Sequence, residues 1–256
     1  MSRTAIISDL HANYHALCAV MEDVQSEQCT DVVCLGDVVG YNAYPGECLD
    51  YIRRLNCPAV KGNHDEEVVT RSNLKMNDVA RQAMEWTRSR LTEEQLLWLA
   101  RLQYQRIVRP SSRASFTIVH STLDQPKAWN YIINAHDASG NFSRQFSQIC
   151  FHGHTHVPRI FSWDGRHATE EYEALRPLYG EGYTELTLRE GTKYFINVGS
   201  VGQPRDDDPR SCYGIYDTDQ NLVILKRVEY DIASAQQAVR DAGLPEYLAE
   251  RLERGC

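Results

Sequence analysis

Near its start the chain reads AIISDLH from Ala5 to His11, a short apolar run followed at once by a carboxylate and an imidazole. Such a run, bounded by polar residues, is typical of a strand that is buried on both faces of a sheet. A strand of this kind followed by a helix predicts the opening of a mainly parallel sheet with right-handed crossovers. The helix is indicated by apolar residues at helical spacing, which are Ala16, Leu17, Val20, Met21 and Val24.

Further apolar runs extend this succession. Pro45 stands where a helix would begin, since proline is favoured at the first helical position. The region from about Leu74 to Leu102 has no strand signal and fits two helices, the second opened by a capping box at Thr92 and Gln95. The further predicted strands are Val32 to Leu35, Pro58 to Val60, Phe116 to Val119 and Ile149 to Phe151.

The second half of the chain has a different pattern. From Ile160 to Val228 short segments alternate in polarity and are separated by turn residues, which predicts antiparallel strands. Asp231 to Glu253 is predicted as helix, with a restart at Pro245. Because no internal repeat, low-complexity tract or linker divides the chain, we predict a single domain of the α/β (α+β) class over residues 1–256.

Composition narrows the functional class. Of the 256 residues 42% are hydrophobic and 24% charged, which suits a large globular core. The formal net charge is −8 and no block of lysine or arginine is present, so stable nucleic-acid binding is not expected. The sequence shows neither a secretory leader nor an apolar stretch long enough to span a bilayer, so we expect a cytoplasmic protein that does not bind membranes. Eight cysteines without a Cys-x-x-Cys pair are expected to be reduced. The sequence does not decide whether the chain forms a homo-oligomer.

Polar residues follow each early predicted strand. In an open α/β sheet, ligands bind outside the carboxyl ends of the strands, so these separated segments are predicted to meet in one crevice. Five of the nine histidines lie at such strand ends, beside Asp or Asn. The blocks are Asp9-Leu10-His11, Gly36-Asp37, Gly62-Asn63-His64-Asp65, His120 and Gly153-His154-Thr155-His156.

Each block alone also has an ordinary explanation, such as a solvated strand end or an Asx-turn. Together they favour a metal site, because neutral imidazole with carboxylate and amide oxygen suits borderline divalent metals. Two such cations about 3.5 to 4 Å apart can hold a phosphoryl group and a shared water. The lowered pKa of that water would supply hydroxide for in-line attack on phosphorus.

In this order the five blocks resemble those of the calcineurin-like metallophosphoesterase superfamily, in its small prokaryotic members. The match runs from Ile6 to His156. The resemblance implies a four-layer αββα sandwich of two mixed β-sheets flanked by helices. It also implies a dinuclear centre with a bridging hydroxide, built on two divalent transition metal ions (Mn, Fe, Zn, Ni or Co, with Mn favoured).

The same resemblance implies a role for each residue of the blocks. His64 would protonate the leaving oxygen or stabilise the charge that grows there, and Asp65 would orient its imidazole. General acid help of this kind is worth about a hundred- to ten-thousandfold in rate. The implied ligands are Asp9, His11 and His156 for one metal, Asn63, His120 and His154 for the other, and Asp37 as the bridge.

Two further residues are candidates for substrate binding. Asn13 is a possible phosphate contact, although helix N-capping fits its position equally well. Arg205 lies in a stretch, from Asn197 onward, that resembles a segment returning beside the metals in small prokaryotic members. Its guanidinium could meet a substrate phosphate or acidic group, or could instead pair with a neighbouring Asp in a solvated turn. His152 is expected to face away from the metals by strand alternation.

The reaction expected from these residues is hydrolysis of small phosphoester or nucleotide substrates, by phosphatase or phosphodiesterase action. A phosphoprotein phosphatase or a dinucleoside polyphosphate hydrolase would use the same chemistry, and a catalytically silent scaffold is a third hypothesis. The segment from Phe161 to Gly191 could shape the choice of substrate, because its aromatic residues could stack a base or simply pack. The sequence leaves open the physiological substrate, the native metals and the preference for monoester or diester.

Overall fold

The apolar runs of the sequence form strands, because branched and aromatic side chains pack well on a pleated surface that is covered on both faces. The computed structural model describes residues 3–72, 77–110 and 114–256. Within those residues the strands are β1 Arg3–Ile7, β2 Asp31–Cys34, β3 Gln105–Val108, β4 Phe116–Val119, β5 Ile149–His152, β6 Arg159–Trp163, β7 Ala168–Glu170, β8 Tyr183–Thr187, β9 Lys193–Asn197, β10 Ser211–Asp217 and β11 Leu222–Val228.

Helices lie in some of the connections between these strands, and two begin at the predicted signals. Pro45 is the first residue of its helix, and the Thr92 hydroxyl accepts a hydrogen bond from the Gln95 backbone N–H to form the predicted capping box. The helices of the described residues are α1 Tyr14–Ser26, α2 Pro45–Leu55, α3 Asn63–Thr70, α4 Asp78–Arg90, α5 Glu93–Arg101, α6 Ala135–Phe142, α7 Tyr172–Gly180, α8 Ile232–Asp241 and α9 Glu246–Arg254. None of them is long and apolar enough to cross a bilayer.

The strands form two mixed sheets. The first has the order β2-β1-β10-β11-β8, with β1 parallel to β2 and antiparallel to β10. The second has the order β3-β4-β5-β9-β6-β7, with a parallel centre of β4, β5 and β9. Both sheets are mixed because antiparallel strands flank their parallel pairs, which are β1 with β2 in the first sheet and β4, β5 and β9 in the second.

Three apolar clusters define four layers, and this confirms the predicted αββα sandwich. Ile6 and Val33 of the first sheet meet Phe116 and Phe151 of the second in the core between the sheets. Ala5 and Ile7 face outward and pack under the helices that cover the first sheet. Phe142 of α6 covers the outer face of the second sheet. The layers place the carboxyl ends of β1, β2, β4 and β5 in one region of the molecule.

Two details of the predicted strands differ from the structure. Pro58 to Val60 makes only isolated bridges, from Ala59 to Cys34 and from Val60 to Gln103, because Pro58 lacks an N–H and the chain turns into α3 soon afterwards. β9 is antiparallel to β6, as predicted, but parallel to β5, since alternation fixes which residues face the core and not the direction of a strand. Leu74 and Met76, at the start of the predicted helical region, lie outside the described residues.

Candidate metal centre

Five segments meet where β1, β2, β4 and β5 end. Asp9 and His11 follow β1, Asp37 follows β2, Asn63 opens α3, His120 follows β4, and His154 and His156 follow β5. All of them except the half-buried Asn63 are buried. A buried carboxylate costs free energy unless it is paired or coordinates a cation. The burial of these polar groups side by side therefore indicates a functional site.

The ligand atoms fall into two groups that share one carboxylate. The first group is Asp9, His11, Asp37 and His156, and the second is Asp37, His120 and His154, with the ligand atoms of each group within 4.8 Å of one another. Asp37 Oδ2 lies 3.6 Å from His11 Nε2 and 3.3 Å from His120 Nε2. Asn63 Oδ1 lies 3.2 Å from His120 Nε2 and therefore beside the second group.

Backbone carbonyls fix the orientation of four histidine rings. The Nδ1 atoms of His11 and His120 lie 3.2 and 2.9 Å from the carbonyl oxygens of Val39 and Leu35. A carbonyl can only accept, so these nitrogens carry a proton, and in the neutral form of each ring Nε2 is the lone-pair atom. His156 makes the same contact through Nδ1 to Gln203, whereas His154 uses Nε2 to reach Trp129 and leaves Nδ1 free. Such contacts orient metal-ligating histidines.

The facing nitrogens fit a divalent cation. His11 Nε2 and His156 Nε2 lie 3.0 Å apart, although the backbone contacts leave both atoms as acceptors. Two lone pairs at that distance repel unless a cation or a proton lies between them. Imidazole nitrogens and carboxylate oxygens are also the donor types that bind borderline divalent metals.

The electrostatics of the cluster keep most of its rings neutral. Burial lowers the pKa of His154 to about 3 and also lowers the pKa of His11 and His156. Burial disfavours the charged form of His120 as well, but the Asp37 carboxylate outweighs it and raises the His120 pKa to about 9. Neutral imidazole is the form that ligates metals, so three of the four rings stand ready to bind.

Most residues of the cluster have a strained backbone conformation. Asp9, His11, Asp37, His154 and His156 all have positive φ, between 46° and 69°, a region that residues with a side chain seldom adopt. Each such residue costs on the order of 1 kcal/mol and persists only where the surrounding structure enforces it. Positive φ at five neighbouring buried residues indicates a functional constraint.

Two glycines let the segments approach. A Cβ on Gly62 would lie 2.0 Å from Asp37 Oδ1, and a Cβ on Gly153 would lie 2.3 Å from Asp9 Oδ2. The absence of a side chain at these positions is therefore what allows the two carboxylates to sit against neighbouring backbone.

His64 lies at the edge of the cluster, and Asp65 does not contact it as predicted. The Asp65 carboxylate accepts backbone N–H bonds from Asp37 and Gly62 at 2.8 and 3.1 Å, and from Val38 at 3.0 Å. The Nδ1 atom of His64 has no hydrogen-bond partner among the described residues. The expected orienting bond is therefore corrected: Asp65 ties the β2 loop to the start of α3, because its side chain points back along the helix to cap it.

Asn13 is a helix cap and not a residue of the cavity. Its Oδ1 accepts from the Ala16 backbone N–H at 3.1 Å, and its Nδ2 donates to the Gly202 carbonyl at 2.9 Å. Both polar ends are therefore occupied, and the side chain is buried. The structure thus shows the capping alternative at this position, and Asn13 is not among the residues that line the cavity described below.

Arg205 lines a cavity of about 330 Å³ beside the cluster, together with Asp37, His64 and His154. Its Nη2 donates to Gln203 Oε1 at 3.0 Å, and within the described residues no ion pair joins it to a neighbouring Asp. The residues of this cavity that the sequence did not indicate are Tyr41, Asn77, Ala80, Tyr131, Tyr247 and Arg251. No local motif marks them: Tyr41 follows Asp37 in the loop after β2, and the others come from helices and loops elsewhere in the chain.

The aromatic residues between Phe161 and Gly191, which could stack a base or simply pack, do not line this cavity. Trp163 stacks on Phe142 at a centroid distance of 5.7 Å, so the packing alternative holds for it. The rings near the cluster include those of Tyr41, 4.5 Å from His64, Tyr131, 4.4 Å from His154, and Trp129, 5.8 Å from His120. His152 packs on Phe195 at 4.4 Å and belongs to neither ligand group, as strand alternation predicts.

Comparison with known proteins agrees with this geometry. The sequence model of the calcineurin-like phosphoesterase superfamily domain matches residues 3–221. An uncharacterized protein of Methanocaldococcus jannaschii is 36% identical, over 99% of this chain and 98% of its own. The crystal structure of a metallophosphoesterase from Sphaerobacter thermophilus is 39% identical and has a TM-score of 0.84, with 100% of this chain and 99% of the other covered.

A more distant structure shares the fold alone. A hypothetical protein from Pyrococcus horikoshii OT3 is 17% identical and has a TM-score of 0.80, with the same coverage of 100% and 99%. The two-sheet architecture is therefore retained where most of the side chains have changed.

Proposed function

The chain belongs to the calcineurin-like phosphoesterase superfamily and is a hydrolase of phosphoester bonds, and from this premise we propose that it cleaves small phosphoester or nucleotide substrates at a dinuclear metal centre. The ligands of one metal would be Asp9, His11 and His156, and those of the other Asn63, His120 and His154, with Asp37 between them. Manganese is the favoured metal among Mn, Fe, Zn, Ni and Co.

The sharing of Asp37 is the observation that carries this proposal. One carboxylate belongs to both groups of ligand atoms, and it lies within 3.6 Å of a ring nitrogen from each. A shared carboxylate of this kind is the ordinary bridge between two cations at catalytic sites. When bound, two divalent cations supply charge that polarises the phosphoryl oxygens and lowers the pKa of an attacking water.

His64 supports the departure of the leaving group in this proposal. Burial and the nearby Arg205 guanidinium lower the pKa of His64 to about 4, against the opposite effect of Asp37. The ring is therefore neutral near pH 7, and its N–H stabilises the growing charge on the leaving oxygen by a hydrogen bond. Of the two roles expected for His64, charge stabilisation agrees better with this environment.

The cavity supports a small substrate. Its volume of about 330 Å³ is at the lower end of the range for small-molecule sites. Arg205 would contact an anionic group of the substrate, because its guanidinium lines that cavity without a carboxylate partner among the described residues.

The test is turnover of p-nitrophenyl phosphate and bis(p-nitrophenyl) phosphate by the manganese-loaded protein. We expect hydrolysis of at least one of them, its loss after chelation and its return with manganese. The control is His136→Ala, which changes an exposed histidine of α6 and should match the parent. If neither ester is cleaved and His64→Ala behaves like the parent, a catalytically silent scaffold is the better account.

A further inference from the structure

One wall of the cavity carries two guanidinium groups. Arg205 comes from the loop after β9, and Arg251 comes from α9 near the end of the chain. Their Cζ atoms lie 5.7 and 5.9 Å from the centroid of the Tyr41 ring, so one aromatic side chain supports both. Both line the cavity that also contains Asp37 and His64. We call these two residues the arginine pair.

The aspartates near the arginine pair are paired with other arginines, and the Nε of Arg251 donates to the backbone oxygen of Cys256. Asp206 pairs with Arg227, and Asp208 pairs with Arg210. Within the described ranges neither member of the pair forms an ion pair with an Asp or Glu side chain, and the buried Nε of Arg205 has no hydrogen-bond partner. Burial and the positive charge of Arg205 lower the pKa of Arg251. Two like charges held together favour an anion between them.

The chain fixes the arginine pair in place. The backbone N–H of Asp207, in the Arg205 loop, donates to the carbonyl of Gly255 at 2.9 Å. A Cβ on Gly255 would lie 2.5 Å from the backbone carbon of Asp208, so only glycine permits this approach of α9 to the loop. The two guanidinium groups therefore need little ordering when a ligand binds, which favours affinity.

The arginine pair lies beside the candidate metal centre and is not part of either ligand group. The Tyr41 ring that supports both groups lies 4.5 Å from the His64 ring and 4.7 Å from the His11 ring. In the proposed function the metals already neutralise the phosphoryl group that is cleaved. The arginines would therefore bind a second anionic group of the substrate, on the leaving-group side beside His64.

We propose that the arginine pair binds a second phosphate carried by the leaving group, so that the preferred substrates are small bisphosphorylated molecules. A phosphate dianion offers two charges and three terminal oxygens to two guanidinium forks, whereas a carboxylate offers one charge and two oxygens. This inference rests on the proposed function and adds the substrate class to it.

The test compares adenosine 3′,5′-bisphosphate with adenosine 3′- and 5′-monophosphates, using the manganese-loaded protein and an assay of released phosphate. Base and ribose are common to the three, so only the second phosphate differs. We expect the parent to prefer the bisphosphate, and Arg251→Gln to lower its kcat/KM about tenfold or more, as loss of a charged hydrogen bond implies. The monophosphates should change less than about threefold.

Arg254→Gln is the matched control, because Arg254 lies on the same helix, is exposed and pairs with Glu250; it should match the parent with every substrate. Equal losses on bisphosphate and monophosphates would overturn the inference, since the pair would then bind the cleaved phosphate. Absence of all turnover would instead count against the proposed function. Calorimetric binding of the bisphosphate to the metal-loaded parent and to Arg251→Gln then decides the inference, and equal affinity would overturn it.

Discussion

Two regions of the cavity are built in opposite ways. The strand-end loops, which carry Asp9, Asp37 and His154, have strained backbone and side chains oriented by neighbouring backbone groups. The wall that carries Arg205 and Arg251 comes from a loop and a helix late in the chain, and it holds charges that lack acidic partners among the described residues. The first region is organised for cations and the second for anions.

This difference assigns the cleavage of the phosphoester bond to the first region and the choice of substrate to the second. The proposed metal ligands and His64 lie within the first 156 residues, whereas the charged groups that would meet the rest of the substrate lie beyond residue 200. Changes in the first region should therefore remove metals or rate, and changes in the second should alter affinity or substrate preference. The following predictions test that separation.

The largest effect is expected from Asp37→Ala. Because this carboxylate belongs to both ligand groups, its removal should release both metals and abolish measurable hydrolysis. Metal content by elemental analysis and turnover of p-nitrophenyl phosphate give the readout. Asp31→Ala, at an exposed carboxylate of the same strand region, should change neither. Full metal content in Asp37→Ala would contradict the shared role.

His64→Ala should lower kcat by about a hundred- to ten-thousandfold while both metals stay bound. The side chain lies beside the cluster but belongs to neither ligand group, so it is expected to act on the leaving oxygen. Elemental analysis beside steady-state kinetics separates the two effects. Loss of metal in parallel with rate would show that His64 is a structural support of the centre.

The metal-free protein should lose stability as pH rises from 6.5 to 9. The folded pKa of His120, about 9, exceeds its unfolded value near 6.5 because of Asp37, so the stabilisation is complete below pH 6.5 and is lost through pH 9. The loss is on the order of 3 kcal/mol. Thermal unfolding across this range provides the measurement. Metal-free His120→Gln should have a flatter profile, and an equally steep one would assign the slope to other groups.

The smallest effect concerns the second region. Arg205→Ala should raise KM about tenfold, as expected for one charged hydrogen bond, with metal content unchanged. Arg205→Lys should recover little, because an ammonium lacks the bidentate fork. Kinetics with adenosine 3′,5′-bisphosphate at saturating manganese provide the measurement. An unchanged KM with a large fall in kcat would place Arg205 with the strand-end loops instead.

The sequence predicted the first region better than the second for a physical reason. Asp9, Asp37 and His120 each follow a recognisable apolar run, and the carboxyl ends of neighbouring strands must lie close together. Arg251 follows no such signal, because its position depends on how α9 packs and on the contact of Gly255 with the Arg205 loop. Tertiary contacts of this kind leave no local pattern.

The same distinction explains the details that the sequence left open or that the structure corrected. Asn13 and Asp65 lie in the informative blocks or close to them, yet their side chains bond to backbone groups that the sequence does not identify. Periodicity indicated that β9 is buried, but its neighbours β5 and β6 decide its direction. Residue type and spacing thus predicted which groups lie together, whereas their hydrogen-bond partners could be identified only in the folded structure.

Anomalous scattering from crystals of the manganese-loaded protein tests the central claim most directly. We predict two peaks, one bounded by Asp9, His11 and His156 and one by Asn63, His120 and His154, with Asp37 in contact with both. A single peak, or peaks that Asp37 does not touch, would contradict a centre of two cations.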